Sequence, residues 1–514
     1  MSKGIKRLLI VVGLLVIAGA ATIFFFLRSH STDDHLRAVP ASAFMVMKID
    51  VQQLAVKADP AKLMEQPAFK KMKDQSVVAL MTDPLGTGID PLENIYAFVD
   101  KADDGSVVSA LVLNVDDGDK LEAFLKQKHL AENVEKNSGE NFATLNSSGA
   151  AIAWNDESAI LLSGNPESLK ENALHYLREK KESSISTDDD YLSFTAKKPD
   201  IGLYIANNRM SRMPGAELLS SLGLTSGYGE VLINFENDGV NAVYANHQEK
   251  LSMPPIIRPT PLQAKQFAAV APKTPLLYLG LATDINFLLT TMSNDPNMQE
   301  TVLGLEMSLG LTQKQLTKLF TGDITIAVTD FRDIATYDPR LVADAKIAAA
   351  SGEDAPPPIN VPMIYISMGE TDDAKTTGIL EGLGMQKAGA AYCVPGFDFI
   401  VYASAKDGHL LITNDYFAAD SLGTTGKLSG KLPAEVNTQT PVSGWADLDP
   451  AHFPESFTQP DGDPMMAMAL PALQPFRSLS LEGKSDRTEL KLKMTPGEGN
   501  SLYRLISYYA TLAN

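Results

Sequence analysis

Histidine and cysteine are among the commonest metal ligands and catalytic groups in proteins. This sequence has seven histidines and one cysteine. No two of its seven histidines lie four residues apart on a predicted helix, so the spacing of a His-Glu-x-x-His zinc site is missing. We therefore expect no metal and no other cofactor, with histidines that are exposed or hydrogen-bonded. The seven are His30, His35, His129, His175, His247, His409 and His452.

Other catalytic motifs are also missing from the sequence. It contains no Gly-x-Ser-x-Gly nucleophile motif and no Gly-x-Gly-x-x-Gly at a strand-to-helix turn. The segment 423–428 matches a phosphate-binding loop only in part, because Leu428 stands where a magnesium-binding Ser or Thr is needed. We predict that this segment is a loop after a helix. Cys393 lies in an apolar run without a basic neighbour in sequence, which favours a buried, inert thiol.

Three acidic clusters could offer oxygen ligands to calcium, at residues 116–119, 188–190 and 372–373. Their spacing does not match an EF-hand loop, which needs ligands at alternate positions and an acid at position twelve. The first and third clusters each precede a predicted helix, so we predict that they cap its N-terminus. The second lies in a Ser/Thr-rich stretch and is predicted to be a solvated loop.

The most suggestive apolar feature is a methionine-rich stretch at 464–470. Flexible methionine side chains suit adaptable binding surfaces, so Met465, Met466 and Met468 are the candidate ligand-contacting residues. The alternative is that this stretch is part of the core or a lid. Trp154 and Trp445 both lie in predicted strands and are expected to be core residues.

Composition excludes several classes of protein. The net charge of −19 and the pI of about 4.8 would repel nucleic acids, so we expect no nucleic-acid partner. The 44% hydrophobic content of the 514 residues is typical of a large folded body and not of a disordered chain.

Residues 8–27 form an uncharged apolar run that is long enough for a helix to cross a membrane. Lysine and arginine residues within 1–7 precede it, so the positive-inside rule places this tip in the cytoplasm and the body outside. Residues 28–38 would then be a polar tether. The prediction is a single-pass protein of a bacterial inner membrane, with its body in the periplasm or outside. A cleaved signal peptide is the alternative.

The remaining sequence shows a weak internal repeat, with the same order of strand, helix and turn signals in residues 39–250 and 269–514. A proline-rich linker, 251–268, separates the two copies. Matching helix starts are predicted at Asp90-Pro91 and at Thr312, where Gln315 completes a capping box. The alternation of apolar and polar residues predicts an α+β fold, a duplicated unit of mainly antiparallel sheet with helices on one face.

The segment that opens the first copy carries Pro40, Ala43, Ile49, Asp50 and Leu54 in a Pro-x-x-Ala-x-x-x-x-x-Ile/Val-Asp-x-x-x-Leu pattern. With the apolar N-terminal run and a body of this size, it resembles a domain-of-unknown-function family of membrane-anchored extracytoplasmic proteins from Bacteroidetes-type bacteria. The resemblance implies a location but no activity and no functional residues.

These observations predict a non-enzymatic, membrane-anchored envelope protein that acts as a scaffold or accessory subunit of an envelope complex. Its partners would be the membrane, through residues 8–27, and other envelope proteins. The first alternative is a protein that binds lipid or another apolar ligand. The second is a hydrolase whose active site is assembled from distant segments.

Overall fold

The computed structural model divides the chain into two compact units. Unit 1 comprises Met1–Leu251 and Met494–Asn514, and unit 2 comprises Ser252–Lys493. The predicted cytoplasmic tip, the predicted membrane helix and the first part of the predicted tether lie outside the described residues. The structure describes residues 33–71, 84–145, 149–212, 225–248, 257–294, 298–350, 360–395, 400–453, 473–484 and 486–512.

The described strands of unit 1 form one antiparallel sheet in the order β4-β5-β6-β7-β3-β2-β1-β8-β9-β10. At its centre Met47 pairs with both Ala97 and Leu203. The strands are β1 (Met45–Ile49), β2 (Ile95–Lys101), β3 (Val107–Asn114), β4 (Glu135–Asn137), β5 (Glu140–Leu145), β6 (Ala150–Trp154), β7 (Ser158–Ser163), β8 (Ile201–Ala206), β9 (Tyr228–Phe235) and β10 (Gly239–His247).

The described helices of unit 1 are α1 (Val51–Ala58), α2 (Pro60–Glu65), α3 (Pro67–Lys71), α4 (Gly118–Gln127), α5 (Leu169–Leu177), α6 (Asp189–Thr195), α7 (Asn207–Met210) and the last helix of the chain, α15 (Ser501–Leu512). Short 3-10 helices occur at Asp34–Ala38, Pro84–Thr87, Lys181–Ser183 and Ile185–Thr187.

Both faces of the unit 1 sheet are covered by helices, which corrects the prediction of helices on one face. Val108, Ala110 and Val112 of β3 pack with α5 and α6, whereas Leu111 and Leu113 pack with α1 and α4. The central strand β3 therefore buries both faces over most of its length, whereas β8 shows an alternation of buried and half-buried residues.

The described strands of unit 2 follow the corresponding order, β14-β15-β16-β17-β13-β12-β11-β18-β19-β20, again antiparallel. They are β11 (Leu277–Ala282), β12 (Phe320–Asp333), β13 (Asn360–Glu370), β14 (Gln386–Ala388), β15 (Ala391–Pro395), β16 (Ile400–Lys406), β17 (His409–Thr413), β18 (Val442–Asp447), β19 (Phe476–Gly483) and β20 (Arg487–Met494). The predicted α+β class with a large antiparallel sheet is confirmed.

The described helices of unit 2 are α8 (Ile285–Asn294), α9 (Gln299–Leu309), α10 (Gln313–Leu319), α11 (Ile334–Tyr337), α12 (Pro339–Ala350), α13 (Asp373–Gly382) and α14 (Tyr416–Thr425), with 3-10 helices at Ala264–Ala269 and Pro450–His452. Thr312 and Gln315 form the predicted capping box of α10. At Asp90 the predicted helix is wrong, because the Asp90 side chain accepts the Leu92 N–H within a tight turn.

The acidic clusters serve mainly as helix caps. Asp117 caps α4 and Asp372 caps α13, as predicted. Asp188 corrects the prediction of a solvated loop, because it caps α6 and forms a salt bridge of 2.5 Å with Arg209. One partner, the Tyr191 N–H, lies in the next turn, and the other, Arg209, lies on α7. The composition of the segment around Asp188 does not predict the contact with Arg209.

Three predicted boundaries differ from the structure. The end of the tether is a 3-10 helix at Asp34–Ala38, with His35 and Ala38 fully buried in unit 1. The end of the linker packs into unit 2, where Gln266 is fully buried. Residues 494–514, predicted to belong to the second copy, lie in unit 1, because the apolar face of α15 packs on α1 and α3.

Candidate functional site

The methionines singled out from the sequence, Met465, Met466 and Met468, lie outside the described residues, so their role stays a prediction. Trp154 is fully buried in the core of unit 1, and Trp445 packs against a core cluster of unit 2. In the described ranges no group of three or more His, Cys, Asp or Glu residues could hold a metal ion. No helix in those ranges is long and apolar enough to cross a membrane.

Two surface hollows of unit 2 combine polar and apolar groups. The first, which we call the basic cleft, has a volume of about 500 Å³. One wall is a face of α14, on which residues 417, 421 and 425 follow at intervals of four. The cleft is lined by Pro272, Lys273, Arg332, Tyr337, Asp415, Phe417, Ala418, Ser421, Thr425, Lys427, Leu428 and Ser429.

Arg332 is held in the basic cleft by two contacts. Its guanidinium carbon lies 4.1 Å from the centre of the Tyr337 ring, a cation–π geometry. Its Nε donates to Asp330 at 2.9 Å, and Lys273 forms a salt bridge of 2.8 Å with the same carboxylate oxygen. One carboxylate therefore faces two cations.

Asp415 lies at the base of the basic cleft and is 2% exposed. It accepts hydrogen bonds from the hydroxyls of Tyr337 (2.9 Å) and Tyr365 (2.8 Å) and caps α14 through two backbone N–H groups. Burial, together with the charge of Asp415, raises the pKa of both tyrosines, so they remain donors. Asp415 is thus a structural carboxylate that positions the Tyr337 ring.

The second hollow, which we call the glycine groove, has a volume of about 490 Å³ and lies between the end of α9 and one face of α13. The α13 residues lie at positions i, i+3, i+4 and i+7 of one helical face. Exposed apolar side chains surround it, with Met307 76%, Leu303 55% and Leu383 46% exposed. The groove is lined by Met307, Leu309, Gly310, Lys375, Gly378, Ile379 and Gly382.

The glycines of this groove are not required by packing within the chain. A Cβ atom added at Gly378 or Gly382 would meet no atom within 4 Å, and the same holds for Gly304 on α9. A glycine inside a helix costs about 1 kcal/mol relative to alanine. No contact among the described residues therefore explains why these helical positions lack side chains.

Two neighbouring carboxyl groups, one buried and one partly exposed, lie at the start of α13. Glu370 is fully buried, and its Oε2 accepts the Asp372 N–H at 2.6 Å and the Thr376 hydroxyl at 3.1 Å. Burial, followed by the hydrogen bond with Asp373, raises its pKa to about 7. The same hydrogen bond lowers the pKa of Asp373, whose oxygens also accept the N–H groups of Asp407 and Gly408.

Cys393 is fully buried, as predicted, but a basic residue does lie beside it. Nη1 of Arg340 is 2.6 Å from the Cys393 sulfur. Burial nevertheless outweighs this charge and raises the pKa of the thiol. The raised pKa favours the neutral thiol, so the inert character of Cys393 stays a prediction that now rests on burial and not on a lack of basic neighbours.

Sequence reasoning missed both hollows. The rejected segment 423–428 is not simply a loop, because residues 423–425 end α14 and Gly426 caps it with a positive φ of 70°. Thr425, Lys427 and Leu428 of this segment line the basic cleft, and Arg332 and Lys273 reach it from positions about 90 and 150 residues earlier. The spacing of α13 glycines at 378 and 382 was the one local signal available.

Comparison with known proteins establishes the family. The model of the family described as Domain of unknown function (DUF4836) matches residues 36–340, which is more than half of the 514 residues. The chain belongs to this family. The predicted resemblance to a domain-of-unknown-function family is confirmed, and the bacterial group stays a prediction.

The similarity to other proteins is low. Two solved structures, crystal forms I and III of TP0453, match with TM-scores of 0.25 and 0.26 at 9% identity. They cover 43% of this chain and 81% and 82% of their own. No curated protein matches the chain.

Proposed function

We propose that this protein is a non-enzymatic, membrane-anchored envelope protein that acts as a scaffold or accessory subunit, and that its glycine groove receives an amphipathic helix of a partner protein. The observation that carries the proposal is the pair of helical glycines, Gly378 and Gly382, whose missing side chains leave open surface. A partner backbone could approach this face closely, and the cost of the glycines would be offset by that contact.

The surroundings of the groove fit the apolar side of a helix. Met307 and Leu303 are largely exposed, and methionine adapts to partners of different shape. An amphipathic helix places its apolar residues at i, i+3, i+4 and i+7, which matches the face of α13 that lines the groove. Lys375 at the edge would pair with an acidic residue of the partner.

We also infer that the two units are copies of one ten-stranded unit. The support is the strand order, which is the same when each strand of unit 2 is numbered from the start of its own unit. Such duplication gives a large surface without requiring a catalytic site. The envelope location rests on the apolar run at 8–27 and on the resemblance described above.

A photocrosslinking amino acid at position 307 of the full-length protein, in its native cells, would identify the partner. The partner would then be purified and its Kd measured with the unmodified chain. We expect Gly378→Leu to fill the groove and to weaken binding by about tenfold or more, as a well-packed interface centre does when disturbed. Leucine at this helical position is expected to preserve or raise stability.

The matched control is Gly304→Leu, which makes the same change on α9 outside the groove lining. It should leave the Kd unchanged. Equal effects of the two variants would overturn the groove assignment. Adducts formed with lipid alone, or with a second copy of the chain alone, would overturn the proposal of an envelope partner.

A further inference from the structure

We propose that the basic cleft binds a phosphate monoester of an apolar or planar group, with the phosphate held by Arg332, Lys427 and Ser421 and the apolar group lying on Phe417. This site lies on different elements from the glycine groove, and its test is independent of the scaffold proposal. Four features of the cleft support it.

The first feature is the orientation of Arg332. The Tyr337 ring beneath the guanidinium and Asp330 on its Nε hold its plane in place. Within the part of the chain that the structure describes, neither Nη atom of Arg332 donates a hydrogen bond. These two parallel donors form the fork that binds phosphate oxygens, and it is already oriented.

The second feature is the excess of positive charge. Lys273, Arg332 and Lys427 line the cleft, and the carboxylate of Asp330 is shared by two of them. Asp415 is occupied by its four donors. In the described residues the Lys427 ammonium and the Ser421 hydroxyl make no hydrogen bond, so both are available. On a chain of net charge −19, this concentration of cations favours a dianion over a single carboxylate.

The third feature is Phe417, which is 51% exposed on the first turn of α14. Its ring packs edge-on against Tyr337, with ring centres 5.4 Å apart, and against Tyr416 at 5.3 Å. The neighbouring rings fix its position, but one side remains open. An exposed aromatic ring beside a cationic centre is suited to a ligand that carries an apolar group next to its charge.

The fourth feature is the fixed rim of the cleft. The Ser429 hydroxyl donates to the Pro272 carbonyl at 2.9 Å, and the Leu428 and Gly430 N–H groups donate to backbone carbonyls of residues 268 and 271. These bonds join the two loops that form the mouth. A rim ordered before binding reduces the entropy that a ligand must overcome.

A hollow in unit 1 shows what a basic surface without this arrangement looks like. Lys170 and Arg178 line it along α5 and form ion pairs with Glu135 and Glu140. The Nε and Nη2 atoms of Arg178 each donate to a different oxygen of the Glu140 carboxylate. Lys170 and Arg178 are already paired there, whereas Arg332 and Lys427 keep open donors.

The test is calorimetric titration of the full-length protein with phenyl phosphate, inorganic phosphate and benzoate. We expect phenyl phosphate to bind most tightly, because it alone combines a dianion with a planar ring. Arg332→Gln should weaken its binding by tenfold to about a hundredfold, the usual effect of losing hydrogen bonds to a charged group. Arg332→Lys should give an intermediate Kd, since it keeps the charge but not the fork.

Two further variants separate the contributions of ring and charge. Phe417→Ala should weaken phenyl phosphate by about tenfold and leave inorganic phosphate unchanged, because it removes apolar contact alone. Lys427→Gln should weaken both. The matched controls are Leu303→Ala and Lys484→Gln, at exposed positions outside the cleft, which should leave both affinities unchanged. Thermal unfolding of each variant checks that it is folded.

Several outcomes would overturn the proposal. Binding of phenyl phosphate that Arg332→Gln leaves intact, or no binding at all, would remove the site. If benzoate binds as tightly as phenyl phosphate, the cleft does not select a phosphate. If inorganic phosphate binds as tightly as phenyl phosphate, the cleft does not recognise an apolar group. Displacement of phenyl phosphate by vesicles that contain phosphatidic acid would identify a lipid headgroup as the source. If such vesicles do not compete, the source is a soluble phosphate monoester.

Discussion

The neighbouring carboxyl groups of Glu370 and Asp373 respond to pH in opposite ways. Glu370 is fully buried with its pKa raised to about 7, while its neighbour Asp373 has a lowered pKa. Folding therefore favours protonated Glu370 and ionised Asp373. The contribution of Glu370 to stability is complete below its usual pKa of 4.5 and is lost as the pH rises through about 7. The contribution of Asp373 to stability is present at neutral pH and is lost in acid, because its pKa is lowered by folding.

The variant Glu370→Gln tests this assignment. A neutral amide replaces the proton-dependent carboxyl, so the free energy of unfolding should no longer fall between pH 5 and pH 8 through this group. At pH 8 we expect the variant to be more stable than the unmodified protein by about 1–3 kcal/mol. Urea unfolding at several pH values measures the difference. Glu300→Gln, an equal change of charge at an exposed site, is the control, and an equal pH response of both variants would contradict the assignment.

Single elements complete each unit, and α15 is the clearest case. Its apolar face packs on Ala58, Leu63 and Phe69 of α1, α2 and α3. Gln66 donates to the hydroxyls of Tyr503 (2.7 Å) and Ser507 (2.8 Å), which attaches the helix by polar contacts as well. The last helix of the chain therefore stabilises the unit that begins the chain.

The variant Ile506→Asp should show this dependence. Ile506 packs against the cluster beneath α15, so a carboxylate there would lose apolar contact and leave an uncompensated charge. We expect a loss of about 2–4 kcal/mol in the stability of unit 1, measured by hydrogen exchange of α1 and β9. Thr511→Ala, at an exposed position of the same helix, should change little. Unaltered exchange in unit 1 would show that α15 is dispensable.

At the scale of the whole molecule, each core cluster is drawn from one unit. The clusters around Tyr365, Tyr402, Leu316 and Leu380 all lie within Ser252–Lys493. Those of unit 1 include Leu502 and Ala510 from the end of the chain. A unit with its own hydrophobic core is expected to fold without the rest of the chain.

We therefore expect residues 252–493, produced alone, to unfold cooperatively in urea and to show the near-ultraviolet circular dichroism of packed aromatic rings. Residues 1–251, produced without 494–514, should in contrast be much less stable than the same segment joined to 494–514, because the apolar contacts of α15 are missing. A non-cooperative transition for 252–493 would contradict the assignment of an independent unit.

Local sequence signals predicted much of the secondary structure. Asp117, Asp372 and Thr312 begin helices where the capping pattern placed them, because a cap depends on residues within one turn. The helix predicted at Asp90 failed because Asp and Pro also favour tight turns, and the competing turn is what forms.

The sequence by itself thus determined the fold class, the helix caps at Asp117, Asp372 and Thr312 and the absence of familiar catalytic motifs. Only the tertiary structure decided that α15 completes unit 1, that helices cover both sheet faces and that Arg340 lies beside Cys393. It also brought Lys273, Arg332 and Phe417 into one cleft. Local propensity acts over a few residues. These contacts join positions tens to hundreds of residues apart, so they depend on how the strands pair and how the helices pack on the sheet.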